Sequence, residues 1–192
     1  MPDWPLALRQ AEATSLATII GMIDNAAAWL RTIGTDQWAR PWPGAADRNG
    51  RIQAGLARRT TWICWDRDTP AATLTVDPEH DPYWSAGPQE RRAVYVHRLV
   101  VAHEYAGLGL GAALLNWAGR AGRQTNGAFS VRVSAWTTNT RLHEYYRGQG
   151  FSLRGFHADD GYPSAARFEK LTSVIPFCWP PLVSAPTRLT AS

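Results

Sequence analysis

The sequence predicts one α/β domain, in which a mixed β-sheet carries helices on both faces. Its 192 residues are enough for a single domain with a sizeable core. Apolar segments of strand length alternate with segments of helical periodicity, in the order β-α-α-β-β-β-α-β-α-β-β. The clearest unit spans residues 93–118, where a β-branched apolar run is followed by a glycine-rich turn and a helical pattern.

The first half of the chain divides into segments of alternating periodicity. In order, we predict a strand at residues 6–11, a helix from 14 or 15 to 34, a loop at 36–44, a short helical stretch at 51–59 and strands at 60–66 and 71–76. Thr14 or Ser15 can cap the first helix, and Gly34 can end it. The segment between the two strands (Asp66-Arg67-Asp68-Thr69-Pro70) reads as a hairpin turn.

The second half continues the same alternation. In order, we predict a polar loop at 77–92, a strand through 94–101, a helix from about 110, a strand at 128–135, a helix ending at Gly148 or Gly150 and strands at 151–156 and 165–171. We assign residues 1–175 to the domain and 176–192 to a proline-rich C-terminal extension on its surface.

Composition excludes several classes of function. The formal net charge of +4 and the pI near 9.4 come from dispersed arginines, so solvated surface charge is favoured over nucleic-acid binding. There is no signal-peptide pattern and no apolar run of about 18 residues, so we expect a cytoplasmic protein with no membrane partner. Cys64, in an apolar strand, and Cys178 lack metal-ligand spacing, and the histidines form no H-x-x-x-H pair, so no metal is expected.

Three alternating glycines, Gly107, Gly109 and Gly111, separate the strand from the helix within residues 93–118. Glycines let successive N–H groups converge, and a helix N-terminus adds partial positive charge, so this turn suits a phosphate or pyrophosphate. It is neither a Rossmann fingerprint, because Leu114 stands where the third glycine would fall, nor a P-loop. The alternative is a tight strand–helix turn that binds nothing.

A second pattern follows the strand at 128–135. Asn139 stands at a helix start, Tyr146 comes seven residues later, and Gly150-Phe151 follows. Together with Gly109 and Gly111, this order of elements resembles the GNAT superfamily of acyl-CoA-dependent N-acetyltransferases, whose turn reads Gln/Arg-x-x-Gly-x-Gly/Ala. The close resemblance covers about residues 93–157 and extends more loosely back to about residue 8.

The resemblance implies a central, mostly antiparallel sheet whose fourth strand (94–101) and fifth strand (128–135) splay apart to admit the thioester arm of acetyl-CoA. A bulge near Leu99–Val101 would free backbone groups for that arm, although ordinary core packing also explains these residues. The implied cosubstrate contacts are Leu99, Val100, Val101, Gly107, Leu108, Gly109, Leu110, Gly111, Ala112, Asn139 and Tyr146. The family's Gln/Arg falls on Ala106, so backbone amides alone would bind the pyrophosphate.

Acetyl transfer to an amine needs a neutral nucleophile and a proton for the departing thiolate. Tyr146 occupies the family's Tyr position and, as a phenol, can supply that proton, whereas Tyr145 is expected to be a core aromatic. His97 shares a strand face with Tyr95 and is the candidate base, with a pKa expected near neutrality; a structural histidine is the alternative. Arg98 is expected on the opposite face, in a structural role. Asn139 is expected to cap its helix, to touch the pantetheine arm, or both.

The same resemblance implies an acceptor site in the loop after the first helix and the loop before residue 93. The expected substrate contacts are Trp38, Trp42, Trp84 and Tyr95, with Asp77, Asp81 and Tyr83 nearby. Aromatic and acidic side chains suit a cationic amine with an apolar body, from a small molecule or a peptide. The sequence thus predicts an acyltransferase, monomeric or homodimeric. A non-catalytic acyl-CoA-binding or regulatory module on the same fold is the alternative, and an unrelated nucleotide-binding protein is the remaining one.

Overall fold

The computed structural model describes residues 6–78, 81–84, 92–157, 161–175 and 182–184. The strands are β1 (Leu6–Gln10), β2 (Thr61–Asp66), β3 (Thr69–Asp77), β4 (Ala93–Val101), β5 (Ser130–Ala135), β6 (Ser152–Phe156), β7 (Ala166–Leu171) and β8 (Leu182–Ser184). The helices are α1 (Leu16–Thr32), α2 (Ala45–Ala57), α3 (Leu110–Asn126) and α4 (Thr140–Gly148).

The described strands form one sheet in the order β6-β7-β5-β4-β3-β2-β1-β8. Neighbouring strands are antiparallel except β4 with β5 and β1 with β8, which are parallel. The predicted mixed, mostly antiparallel sheet is therefore confirmed. Within the described ranges, no helix is long and apolar enough to span a membrane, and no group of three or more His, Cys, Asp or Glu side chains is placed to hold a metal ion.

Helices cover both faces of the sheet, as predicted. The α3 side chains Leu110 and Leu114, with Tyr146 of α4, pack in one core cluster against β4, β5 and β7. On the other face, Ile23 of α1 and Ile52 of α2 pack against β2 and β4 in a second cluster. β4 is apolar on both faces because each face meets a different apolar layer, Val94 and Val96 in the first cluster and Val100 in the second.

The fourth and fifth strands separate at their carboxyl ends. β4 and β5 pair over four positions, from Ala93 opposite Ser130 to Val96 opposite Val133, and are no longer paired beyond them. β4 continues to Val101 and β5 to Ala135, so each strand has a free edge that faces the gap. This separation confirms the splay that the family resemblance implied.

A bulge lies in β4 next to the gap. Thr75 pairs with His97 and Thr73 with Val100, so the one residue between them on β3 faces two residues of β4, Arg98 and Leu99. Arg98 takes the extra place, with φ of 50°. Its guanidinium donates a hydrogen bond to the Thr75 hydroxyl, on the face that His97 shares. The expectation that Arg98 faces the opposite side is wrong, because the bulge interrupts the alternation of side chains.

Other boundaries differ from those expected from the sequence. α2 begins at Ala45, six residues before the expected start at 51, and follows an extended Gly44. A short 3₁₀ turn at Ala13–Ser15 precedes α1, and Glu12 supplies its capping box in place of Thr14. Most of the proposed extension, 176–192, lies outside the described residues, but β8 within it pairs with β1 as an unexpected strand.

Candidate active site

A cavity of about 560 Å³ lies where β4 and β5 separate. Its lining includes His97 and Leu99 of β4, Ala135 of β5, and Leu142 and Tyr146 of α4. The loop between α1 and α2, helix α2 and the loops after β3 and β6 also contribute to it. The fold thus brings together the two residues expected to move protons, although they are far apart in the sequence.

Tyr146 packs against two aromatic rings in the lining of the cavity. Its ring lies 5.5 Å from the rings of both Phe151 and Phe168, and only 7% of the residue is exposed. Among the described residues its hydroxyl has no hydrogen-bond partner, and burial raises its pKa above the ordinary value for a phenol. Tyr145, expected in the core, is 37% exposed, because the helical period turns the next residue inward.

His97 stands at the bulge beside Asp81. The His97 Nδ1 atom lies 4.0 Å from an Asp81 carboxylate oxygen, and 28% of the His97 side chain is exposed. Burial, together with the charges of Arg98 and Arg58, lowers the pKa of His97 to about 4, against the opposing effect of Asp77. The ring is therefore neutral at neutral pH, and its pKa lies well below the near-neutral value expected from the sequence.

The cavity is positively charged, in contrast to the acidic character expected of it. The arginines that line it are Arg40, Arg48, Arg51, Arg58 and Arg98, against two acids, Asp77 and Asp81. Asp77 accepts a hydrogen bond from Arg58 at 2.7 Å, and Asp81 accepts one from the Tyr83 backbone N–H at 2.8 Å. Both carboxylates are thus already engaged inside the protein.

Aromatic rings form one wall of the cavity. Tyr83 and Tyr162 stack at 3.7 Å with 5° between their planes, and Trp42 meets Tyr162 edge-on at 5.1 Å. Trp38 also lines the cavity, so two of the expected substrate contacts, Trp38 and Trp42, are placed there. Tyr162 was missed, since a lone tyrosine in a polar loop gives no periodic signal.

Trp84 and Tyr95 do not line the cavity. They are buried with Ala93 in a small separate cluster. The Trp84 indole donates to the Ser134 hydroxyl at 3.2 Å, and the Tyr95 hydroxyl accepts from Arg132 at 2.9 Å. Their polar atoms are already paired with protein groups, so their placement favours support of the cavity wall over contact with an acceptor.

The glycine turn presents main-chain groups only. Gly107 and Gly109 both have φ of 77°, a left-handed conformation that favours glycine. α3 then begins at Leu110 without a side-chain cap, and the first N–H groups of a helix have no partner within it. A Cβ on Gly111 would lie 2.7 Å from the Tyr145 hydroxyl, so that hydroxyl sits directly over the turn.

Asn139 caps α4 and also anchors a distant loop. Its side-chain oxygen accepts from the Leu142 N–H at 3.0 Å, and its amide nitrogen donates to Gln37 at 2.6 Å. One residue away, Asp36 accepts from the Trp136 indole at 3.0 Å and from the Thr138 hydroxyl at 2.6 Å. The capping role is therefore shown, and three hydrogen bonds tie the α1–α2 loop to the start of α4.

Comparisons with known proteins agree with this architecture. A family model described as acetyltransferase (GNAT) family matches residues 24–151. The uncharacterized N-acetyltransferase YesJ of Bacillus subtilis (strain 168) is 29% identical over 151 residues, which cover 76% of this chain and 80% of YesJ.

Solved structures show the same fold. A GNAT-family acetyltransferase from Listeria monocytogenes 4b F2365 superposes with a TM-score of 0.68 at 18% identity, covering 86% of this chain and 94% of that one. The PaiA N-acetyltransferase of Thermoplasma acidophilum, solved in complex with coenzyme A, gives a TM-score of 0.64 at 15% identity, covering 88% and 99%. At these identities the likeness shows the fold alone.

Proposed function

The chain belongs to the acetyltransferase (GNAT) family, and from that membership we propose that it transfers an acetyl group from acetyl-CoA to a primary amine by direct attack in a ternary complex. The observation that carries the proposal is the Tyr146 hydroxyl, which lines a cavity between two separated strands and has no partner among the described residues. A hydroxyl that opens on a cavity and has no protein partner can donate its proton to a reacting group there.

The residues at the glycine turn fit the phosphates of CoA. The N–H groups of Leu110, Gly111 and Ala112 head α3 and have no intrahelical partners, and the helix dipole favours an anion there. Ala106 contributes no side-chain donor, so these amides would bind the pyrophosphate alone. Acetyl-CoA supplies the activated acetyl group when it is bound.

The free edge of β4 fits the pantetheine arm. Beyond Val96 the strand has no β5 partner, which leaves the main chain of Leu99 and Val101 beside the gap. An extended arm with amide groups would add to this edge much as another strand does. The acetyl carbon would then be held near Tyr146, and such positioning accounts for ~7–11 kcal/mol of a typical enzymatic acceleration.

His97 is the proton acceptor on the amine side. Its ring is neutral at pH 7 because its pKa is lowered to about 4, so it offers a lone pair to the amine. So weak a base would not deprotonate an ammonium ion. We infer that it takes the proton after attack, when the nitrogen has become more acidic.

Tyr146 donates a proton to the departing thiolate. Its raised pKa keeps the phenol protonated across the neutral range, and its packed ring fixes the direction of the hydroxyl. Asn139 is a positioning residue, since it caps the helix that carries Tyr146. Trp38 and Trp42 would contact the acceptor.

Thiol release from acetyl-CoA, measured over a panel of primary amines, tests this function. We expect amine-dependent release, and loss of most of it in Tyr146→Phe with acetyl-CoA affinity retained by calorimetry. Acetyl-CoA binding without turnover for any amine would instead support an acyl-CoA-binding regulatory module. No binding of acetyl-CoA would overturn both functions.

A further inference from the structure

The cavity holds cations that no carboxylate neutralises. Arg58 pairs with Asp77 at 2.7 Å, and Arg48 pairs with Asp24 at 2.6 Å. The three other arginines of the lining, Arg40, Arg51 and Arg98, form no ion pair with any described residue. Positive charge concentrated in a cavity attracts an anionic ligand and repels a cationic one.

Arg98 is the most constrained of these cations. The β4 bulge turns it into the cavity beside His97, and its backbone adopts a left-handed φ of 50°. Of its five N–H donors, the structure uses one, in the bond to Thr75 at 3.1 Å. Burial and the nearby charges of Arg51 and Arg58 lower the pKa of Arg98 to about 10, against the opposing effects of Asp77 and Tyr162, so the group stays charged at neutral pH. A bound anion would offset the repulsion from Arg51 and Arg58.

Arg51 connects this charge to the aromatic wall. Its guanidinium donates to the backbone carbonyl of Trp42 and lies 5.8 Å from the centre of the Trp42 ring. The stacked pair Tyr83 and Tyr162 continues the wall next to Trp42. The cavity thus offers a cationic end, a flat apolar side and, at His97, a neutral acceptor for an amine.

On the proposed acetyltransferase function, we propose that the acceptor is an amino-acid-like molecule: a primary amine whose carboxylate is held by Arg98 and Arg51. His97 and Arg98 are adjacent in sequence and both face the cavity because of the bulge. The amine and the carboxylate that they contact must therefore lie only a few bonds apart. A polycation such as a polyamine would meet three arginines without counter-charges.

The test compares acceptors that differ only in the anionic group. Phenylalanine, phenylalaninamide and 2-phenylethylamine share one body and one amine, and thiol release from acetyl-CoA reports turnover of each; spermidine represents polycations. The amide has the less basic amine, so intrinsic reactivity favours it over the acid at neutral pH. We expect phenylalanine nevertheless to show a kcat/KM about 10- to 100-fold above that of the amide, the size of one charge-assisted hydrogen bond.

Two arginine variants locate the effect. Arg98→Met should remove most of the preference for the carboxylate, chiefly through the KM for phenylalanine. Arg51→Gln, on an exposed face of α2, should reduce the same preference and serves if the bulge does not tolerate Met. Arg123→Gln, at the exposed end of α3, removes the same charge far from the cavity and should leave the preference unchanged.

The outcomes separate this inference from the function on which it rests. Turnover of the amide, the amine or spermidine equal to or above that of phenylalanine would overturn the carboxylate site and leave the acetyltransferase intact. An unchanged preference in both Arg98→Met and Arg51→Gln would also overturn the site. Absence of thiol release with every acceptor, in a protein that binds acetyl-CoA, would count against the acetyltransferase itself.

Discussion

The glycine turn and the cavity lie at the same separation of β4 and β5 but are built from different groups. The turn, residues 107–112, presents main-chain amides at the start of α3 and has no side-chain cap. The cavity presents arginines and aromatic rings from the α1–α2 loop, α2, β4 and the loops after β3 and β6. A main-chain site depends on few residue identities, whereas a side-chain site can be altered at many positions.

This contrast separates the general part of the reaction from the specific part. Every member of a CoA-dependent family binds the same phosphates, and a main-chain site can bind them whatever the side chains around it are. The acceptor differs from member to member, and loops carry the groups that recognise it. Mutations in the glycine turn should therefore change the constants for acetyl-CoA, whereas mutations in the cavity should change those for the acceptor.

The largest effect on kcat is expected at Tyr146. Tyr146→Phe removes one oxygen and keeps the packed ring, so we expect kcat to fall by ~10²–10⁴ with little change in acetyl-CoA affinity. The loss should shrink for a thioester with a more acidic thiol, which needs the proton less. Single-turnover kinetics measure the chemical step directly.

Tyr145→Phe is the matched control for that experiment. Its hydroxyl lies over Gly111 and outside the cavity lining, so the chemical step should be unaffected. A Tyr146→Phe enzyme that keeps a wild-type single-turnover rate would remove Tyr146 from proton transfer.

A charge introduced at the turn should change cosubstrate binding alone. Gly109→Asp places a carboxylate at the position that heads α3, and a pair of like charges about 6 Å apart near a protein surface costs ~2–4 kcal/mol. We expect acetyl-CoA affinity, measured by calorimetry, to fall about 30-fold or more relative to Gly109→Asn. Asn bears the same backbone strain without the charge, so the difference isolates electrostatics. Equal affinities would show that no phosphate lies at this turn.

The acid side of the pH–rate profile tests His97. With a pKa of about 4, the ring is neutral throughout the neutral range, so kcat/KM should there follow the titration of the acceptor amine. Protonation of His97 should lower kcat/KM only near pH 4. His97→Gln should lower kcat without moving the neutral part of the profile. Imidazole titration by NMR gives the pKa directly, and a value near 6.5 would contradict the buried environment.

The same shift predicts how stability depends on pH. Because the folded-state pKa of about 4 lies below the ordinary 6.5, the unfolded chain binds this proton first. The contribution of His97 is therefore complete above about pH 6.5 and is lost as the pH falls toward 4. In urea unfolding across this window, the wild type should lose free energy of unfolding relative to His97→Gln as the pH falls, because the variant has no imidazole to protonate.

The smallest effect is expected at the helix cap. Asn139→Ala removes the acceptor for the Leu142 N–H and should lower the free energy of unfolding by ~1 kcal/mol. Asn139→Asp keeps the capping oxygen and should retain most of that stability. Urea unfolding measures both variants. A loss of acetyl-CoA affinity in Asn139→Ala that Asn139→Asp does not share would add a contact with the pantetheine arm to the capping role.

The parts of the site that the sequence predicts are those with local causes. The glycines and the Asn139 cap follow from short-range rules of turns and helix ends, and the structure places them as expected. Tyr146 was singled out through the family resemblance. The splay of β4 and β5 was available only through the family resemblance. The strand and helix order was predictable because each apolar face repeats with its own period.

What the sequence does not reveal depends on contacts between distant segments. The inward turn of Arg98 requires a bulge, which is fixed by the register with β3 and not by any local pattern. Tyr162 reaches the cavity only because the loop after β6 folds back onto Tyr83. The lowered pKa of His97 likewise arises from burial and from Arg98 and Arg58, which no spacing rule brings together.

The single amide of Asn139 joins two elements that evolution would otherwise change independently. It caps the helix that carries Tyr146, and it holds Gln37, which lines the cavity. A lineage that remodels the loop around Gln37 also disturbs the helix that carries Tyr146. Such substitutions should show epistasis with Asn139, and new specificities should arise more readily from Trp42 or Tyr162, which are not tied to that amide.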